Sequence, residues 1–291
     1  MSLAPPRRPA LPRLAVRRAG ALSIAVAVLA AVVAAAPLLA PHDPAQTDIL
    51  NRLAAPSWTY PLGTDAMGRC LLSRLLFGAR LTICVALLVV LAAAAIGTLV
   101  GLTAGTLGGT ADRVAMRVVE GVSIFPALAV SLVIAGSLGI GLTSVVIALV
   151  AVHWTEYARI VRNMTMVERA RPYVMAAHAI GATGPRIVLR HILPNVAGPL
   201  LVLGAFSLSF VILAFAGLSF LGLGVEPGTA EWGRMIAEAR THMRTYPRLV
   251  LVPGLSIMTF VILVNLMGDA LADRWRVDQV LRPRLRKGKP A

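Results

Sequence analysis

The sequence predicts an all-α membrane protein with six transmembrane helices, and three observations predict it. First, 57% of the 291 residues are hydrophobic, only 14% are charged, and the mean hydropathy is +0.79, which leaves too little polar material to cover a soluble domain. Second, a bilayer core about 30 Å thick needs about 20 apolar residues in a helix, and five runs free of Asp, Glu, Lys and Arg reach that length. They are Ala19–Ala40, Leu81–Ala111, Gly121–Thr155, Ile192–Val225 and Leu249–Gly268, and the third is long enough to be two helices turning at Gly136–Gly141. Third, all 28 Lys and Arg fall in the gaps. With six spans and the N-terminus inside, the segment before Ala19, Arg113 and Arg117, the stretch Arg159 to Arg190 and the tail from Arg274 hold 20 of these 28 on the inner side. A five-span count would put most of them outside, against the positive-inside tendency.

The elements follow in order. Residues 1–18 form a basic cytoplasmic N-terminus, and 19–40 the first span, too long for a signal-peptide core and without a convincing cleavage site. Residues 41–80 read as an extracytoplasmic linker. It ends in an interfacial helix carrying Leu71, Leu72, Leu75 and Leu76 on one stripe. Residues 81–272 form a five-helix core with a cytoplasmic loop at 163–195, and 273–291 a basic cytoplasmic tail. The net charge of +15 is accounted for by topology and anionic lipid, and no nucleic-acid partner is expected. Cys70 and Cys84 offer neither a metal spacing nor a disulfide framework.

Within the loop, Tyr173-Val-Met-Ala-Ala-His-Ala-Ile-Gly-Ala-Thr-Gly-Pro-Arg-Ile-Val-Leu-Arg-His-Ile-Leu-Pro-Asn195 is a polar island between apolar runs. Pro172 suits a first helical turn, the Ala-rich run propagates it, Gly181 stops it and Pro185 restarts it. The order Ala176-Ala177, Gly181, Leu193-Pro194 resembles the "EAA" loop of ABC importer permeases, with Met175 in place of the Glu and His191 in place of an Ile. Arg190-His-Ile-Leu-Pro-Asn195 is close to the dipeptide, oligopeptide and nickel branch, C-type subunit. Pro61–Arg80, Gly217–Pro227 and Asn265–Asp273 resemble other segments of the same permeases, except that Cys70 stands where an Asp is expected.

The resemblance implies one N-terminal span followed by a MetI-like five-helix core. It implies docking of a cytoplasmic ATPase on Tyr173, Ala176, Ala177, His178, Gly181, Arg186 and Pro194. It further implies a second permease subunit in a heterodimer, two ATPases that bind ATP and Mg, an extracytoplasmic solute-binding protein, and a bacterial inner-membrane location with both termini cytoplasmic. Di- or oligopeptide is the first substrate class and nickel or a chelated metal the second.

Elsewhere, Glu156 is expected to pair with Arg159 and Arg162, and Asp269 and Asp273 with basic residues at the end of the last span, in preference to a metal site. Thr143, Ser144, Ser207, Ser209 and Asn265 are the candidate pore-lining groups, and Gly217, Gly222 and Gly224 the candidate points of close helix approach. No catalytic residue and no cofactor is expected in the chain, because it contains no Gly-x-x-x-x-Gly-Lys-Ser/Thr phosphate loop and no His-Glu-x-x-His. An ion-coupled secondary transporter is the alternative from another class, but it would call for acidic residues at the midplane, whereas these lie at span ends.

Overall fold

In a computed structural model the chain is described at Ala31 and over residues 34–286, with side chains as far as Asp273. The expected first span, 19–40, lies mostly outside those residues. Four described helices are long and apolar enough to cross a membrane, or five if one bent pair counts as a span.

Residues 40–70 fold into a compact loop ahead of the helices. The Thr64 hydroxyl accepts from Ala54 N at 2.8 Å and donates to the Asn51 carbonyl. Gly68, at φ +76°, presses against the Asp48 carbonyl where any Cβ would collide.

Helix α1 (Leu71–Leu107) is continuous for 37 residues, about 55 Å. Leu71, Leu72, Leu75 and Leu76 are therefore its first two turns, and not a separate in-plane helix as the sequence predicted. Nothing between Phe77 and Leu81 breaks a helix: Gly78 is held in one by the ring of Trp232, 3.1 Å from where its Cβ would stand.

Helices α2 (Gly109–Ser123) and α3 (Ala127–Leu138) meet at 85°. The sequence placed the start of this span at Gly121, but Pro126 lacks an N–H and disfavours helix in the residue before it, so the chain turns at residues 124–126. The second break falls where predicted, between α3 and α4 (Leu142–Arg169), with Gly139 at φ +90° and Gly141 at φ +155°.

Helix α4 runs past the expected loop boundary at 163, since nothing stops it before Arg171, whose ψ of 139° is dictated by Pro172. A short α5 (Pro172–Ala179) ends before Gly181 at φ +82°. Helix α6 (Gly184–Phe220) contains a wide π turn at Val188–Ile192, just ahead of Pro194, whose ring would clash with the carbonyl four residues back in a regular helix. The true loop between spans is thus 170–183. Helices α7 (Trp232–Ala239) and α8 (Arg248–Arg286) complete the chain.

Helix α1 packs closely against α4. A Cβ on Gly101 would lie 2.6 Å from the Ala158 carbonyl, one on Gly105 would lie 2.7 Å from Thr165 Cβ, and one on Gly97 would strike the Trp154 carbonyl. This four-residue glycine spacing lets two backbones touch where lipid gives no hydrophobic drive for association. Gly217 and Gly222 have no atom within 4 Å of such a Cβ, but the close approach expected in this stretch is made beside them at Ala216, whose carbonyl a Cβ on Gly233 of α7 would strike, and at Gly224, whose Cβ would strike Ser219. Val89, Leu149, Ile212, Phe215 and Val264, from α1, α4, α6 and α8, form the main apolar core.

Candidate functional site

The loop helix α5 sits at the end of the bundle where α4 finishes and α6 begins. Val174 and Ala177 turn inward against Val161, Ile187, Ile192 and Val196. Tyr173, Met175, Ala176, His178 and Ile180 face out, with Met175 60% and Ile180 86% exposed. Gly181, Arg186 and Pro194 are exposed as well, so all the candidate docking residues but Ala177 are open to solvent. Ala177 supports α5 from beneath, because a helix seated on two spans must bury one face.

A polar strap holds α5 in place. The Tyr173 hydroxyl donates to Glu168 Oε2 at 2.5 Å and accepts from Asn195 Nδ2 at 3.0 Å. Burial and the Glu168 carboxylate push the phenol up to about 12. Arg169 donates to the Gly105 carbonyl at 2.9 Å, fastening the same corner to α1.

The opposite end of α1 carries a set of residues that sequence reasoning passed over. Arg74, only 1% exposed, donates to Asp65 and, at 3.0 Å, to Glu238. Arg69 donates to Asp65 at 2.7 Å and to Glu238 at 2.7 Å. This four-charge clamp joins the loop before α1 to α7. Burial opposes ionisation of both carboxyls, but Arg74 and Arg69 outweigh it and hold Asp65 and Glu238 below the usual carboxylate range.

Beside the clamp, Glu231 caps α7, accepting from Gly233 N at 2.9 Å, Arg234 N at 2.7 Å and Thr82 Oγ1 at 3.1 Å. Its complete burial pushes its carboxyl up. The signal was present in the sequence: Arg74 lies among leucines, and a cation there needs a partner. The partner, Glu238, is 164 residues away and could not be read.

A family model described as "Binding-protein-dependent transport system inner membrane component" matches residues 97–277. The chain belongs to that family. It is an ABC importer permease of the dipeptide, oligopeptide and nickel branch. The nickel transport system permease protein NikC of Escherichia coli K12 is 38% identical over 250 residues, 86% of this chain and 90% of the relative. The di/tripeptide transport system permease protein DppC of Pseudomonas aeruginosa UCBPP-PA14 is 41% identical over 244 residues, 82% and 80% of the two chains. A chain of the MetNI methionine ABC transporter, in an inward-facing conformation, shares the fold at a TM-score of 0.53 and 18% identity, covering 68% of this chain and 95% of that one.

Of two sets of expected contacts in this permease, one is arranged differently and one lies partly outside the described side chains. Glu156 is exposed and makes no ion pair among the described residues. Arg162 instead engages both oxygens of Asp112 on α2, at 2.8 and 2.5 Å, and Arg159 donates to Ser123 at 3.1 Å. Both arginines are taken up by α2, which packs against α4. For Asp269 and Asp273, the expected partners Arg274 and Arg276 have side chains outside the described residues.

The pore candidates do not converge in the single chain. Ser144, Ser207 and Ser209 are buried between helices and Thr143 is exposed, while the Asn265 amide donates to the Val261 carbonyl of its own helix at 2.9 Å.

Proposed function

We propose that this permease translocates di- or oligopeptides across the bacterial cytoplasmic membrane by alternating access, driven by two partner ATPases that bind ATP and Mg. In this reading the α5 end is cytoplasmic, the clamp end is extracytoplasmic, and both termini are cytoplasmic. A second permease completes the translocation path, which accounts for polar groups that line nothing within one chain, and a solute-binding protein delivers the cargo outside. The observation that carries the reading is α5: an eight-residue helix seated on the ends of two spans, with an outward apolar face of Met175, Ala176 and Ile180. Such a face fits a groove on a partner, and rigid-body displacement of α5 would tilt α4 and α6 with it.

The relatives named for peptides favour peptide cargo. The relative named for nickel, matched over nine-tenths of its length, keeps a metal ion as the second reading.

The test is coexpression with the second permease and both ATPases. Met175→Asp with Ile180→Asp should reduce ATPase retained on the purified complex about tenfold, the effect of about 1.4 kcal/mol of lost interface. Undiminished retention sinks the docking assignment. Radiolabelled dialanine should accumulate in vesicles holding the complete complex and its binding protein. Uptake of nickel that excess dialanine leaves untouched would replace peptide with metal.

A further inference from the structure

We propose that the Tyr173 hydroxyl is the positioning group that makes α4 and α6 move together when α5 is displaced. The inference rests on the docking role of α5 and adds how its motion enters the bundle. Apart from its hydroxyl, α5 is held to its neighbours by the apolar contacts of Val174 and Ala177, which are non-directional and allow sliding. Hydrogen bonds fix direction, and among the described residues Tyr173 makes those that link an α5 side chain to both flanking spans.

The hydroxyl's one proton goes to Glu168, the penultimate residue of α4, and its lone pair takes an N–H from Asn195, near the start of the regular part of α6. Asn195 spends its other N–H on the His191 carbonyl at 2.6 Å, inside the π turn, so the strap grips α6 where its ladder is widened. The Tyr173 ring also lies against the His191 ring, 6.2 Å between centroids. One phenol thus bridges two spans through a donor bond and an acceptor bond that cannot be exchanged for packing.

Glu168 also faces Arg171 at 3.6 Å, and that contact is separable from the strap. In Glu168→Gln the amide carbonyl still accepts the phenol proton while the charge is lost; in Glu168→Ala both are lost.

The experiment uses the complete reconstituted complex and reads transported cargo per ATP hydrolysed, with radiolabelled dialanine, or nickel if nickel proves to be the cargo. Glu168→Ala and Asn195→Ala should keep the bound ATPases and their hydrolysis while the ratio falls about threefold to tenfold, the size expected for losing one or two hydrogen bonds. Glu168→Gln should restore the ratio, and Tyr173→Phe should lower it as Glu168→Ala does. An unchanged ratio in the Glu168→Ala/Asn195→Ala double variant overturns the proposal, as does a ratio that Glu168→Gln fails to restore. Loss of bound ATPase in these variants overturns it too, because the residues would then belong to the interface. Failure of the docking reading shows separately, as full ATPase retention in Met175→Asp with Ile180→Asp.

Discussion

The two ends of α1 are fastened by opposite kinds of chemistry. At Leu71 the helix enters a clamp of four charges, with Arg74 sealed from solvent and its partners nine residues before it and 164 after it in sequence. At Gly105 it meets a corner built from buried apolar contacts, a backbone carbonyl held by Arg169 and a solvent-exposed phenol strap. A buried ion network has one good geometry and resists distortion, since separating it strands charge in a low dielectric. An apolar seat is non-directional and can slide as a unit, with the strap keeping α4 and α6 in step, so that corner can move. The difference fits an end that anchors and an end that receives motion, joined by the Gly97, Gly101 and Gly105 seam of α1 on α4.

The sharpest way to break this contrast is to remove one arginine from each end. Arg74→Ala leaves buried Asp65 with Arg69 as its one remaining cation, while half-buried Glu238 keeps Arg69 and Arg234, and should destabilise the protein by about 3–5 kcal/mol. Arg171→Ala removes a side chain 57% exposed that faces Glu168 at 3.6 Å and should cost at most about 0.5 kcal/mol. Thermal unfolding in detergent compares the two. Similar melting shifts would mean that the clamp is no anchor.

Much of this arrangement could be read in advance. The four long spans among the described residues are legible because their apolar runs approach or exceed the bilayer thickness, and the turn at Gly139–Gly141 and the stop at Gly181 because glycine at positive φ leaves its mark in composition. The continuity of α1 was hidden by Arg74 and Arg80, which lower local hydropathy until the tertiary partner of Arg74 is known. Ala177 looked like a contact residue because composition identifies a small residue, whereas its inward direction depends on the phase at which α5 rests on its neighbours. The seam at Gly97, Gly101 and Gly105 has the spacing of a close-packing motif and was legible in principle, but the clustered glycines near 220 drew the inference instead.

Acid should sharpen the comparison next, with an effect smaller than that of losing Arg74. Asp65 and Glu238 are held below their ordinary values of 3.8 and 4.5, so the folded state binds fewer protons than the unfolded state. Their stabilisation is complete above those ordinary values and is lost as pH falls through the lowered ones. Glu231 has the opposite sign: its raised carboxyl favours folding at low pH and loses that contribution as pH rises through its folded value. Melting temperature followed from about pH 6 down to about pH 3 should therefore drop for the parent and drop less for Asp65→Asn, whose lost charge has already been removed from the balance. Parallel curves would place the acid sensitivity outside the clamp.

The most local effect should come from Gly181→Ala at the α5 end. No atom lies within 4 Å of the added methyl, so packing does not oppose it, but φ +82° does, and the left-handed region costs an alanine about 1–2 kcal/mol. If α5 is only marginally held, that strain cannot be absorbed by a rigid surround and should surface as local opening. Limited proteolysis between residues 179 and 184 should then accelerate about fivefold or more, the population change that 1 kcal/mol produces. Global melting should stay near that of the parent, because the opening is confined to a corner that the clamp does not share. A fall in melting temperature as large as that of Arg74→Ala, without faster cleavage at 179–184, would show the two ends to be one cooperative unit and remove the distinction between anchor and mobile corner.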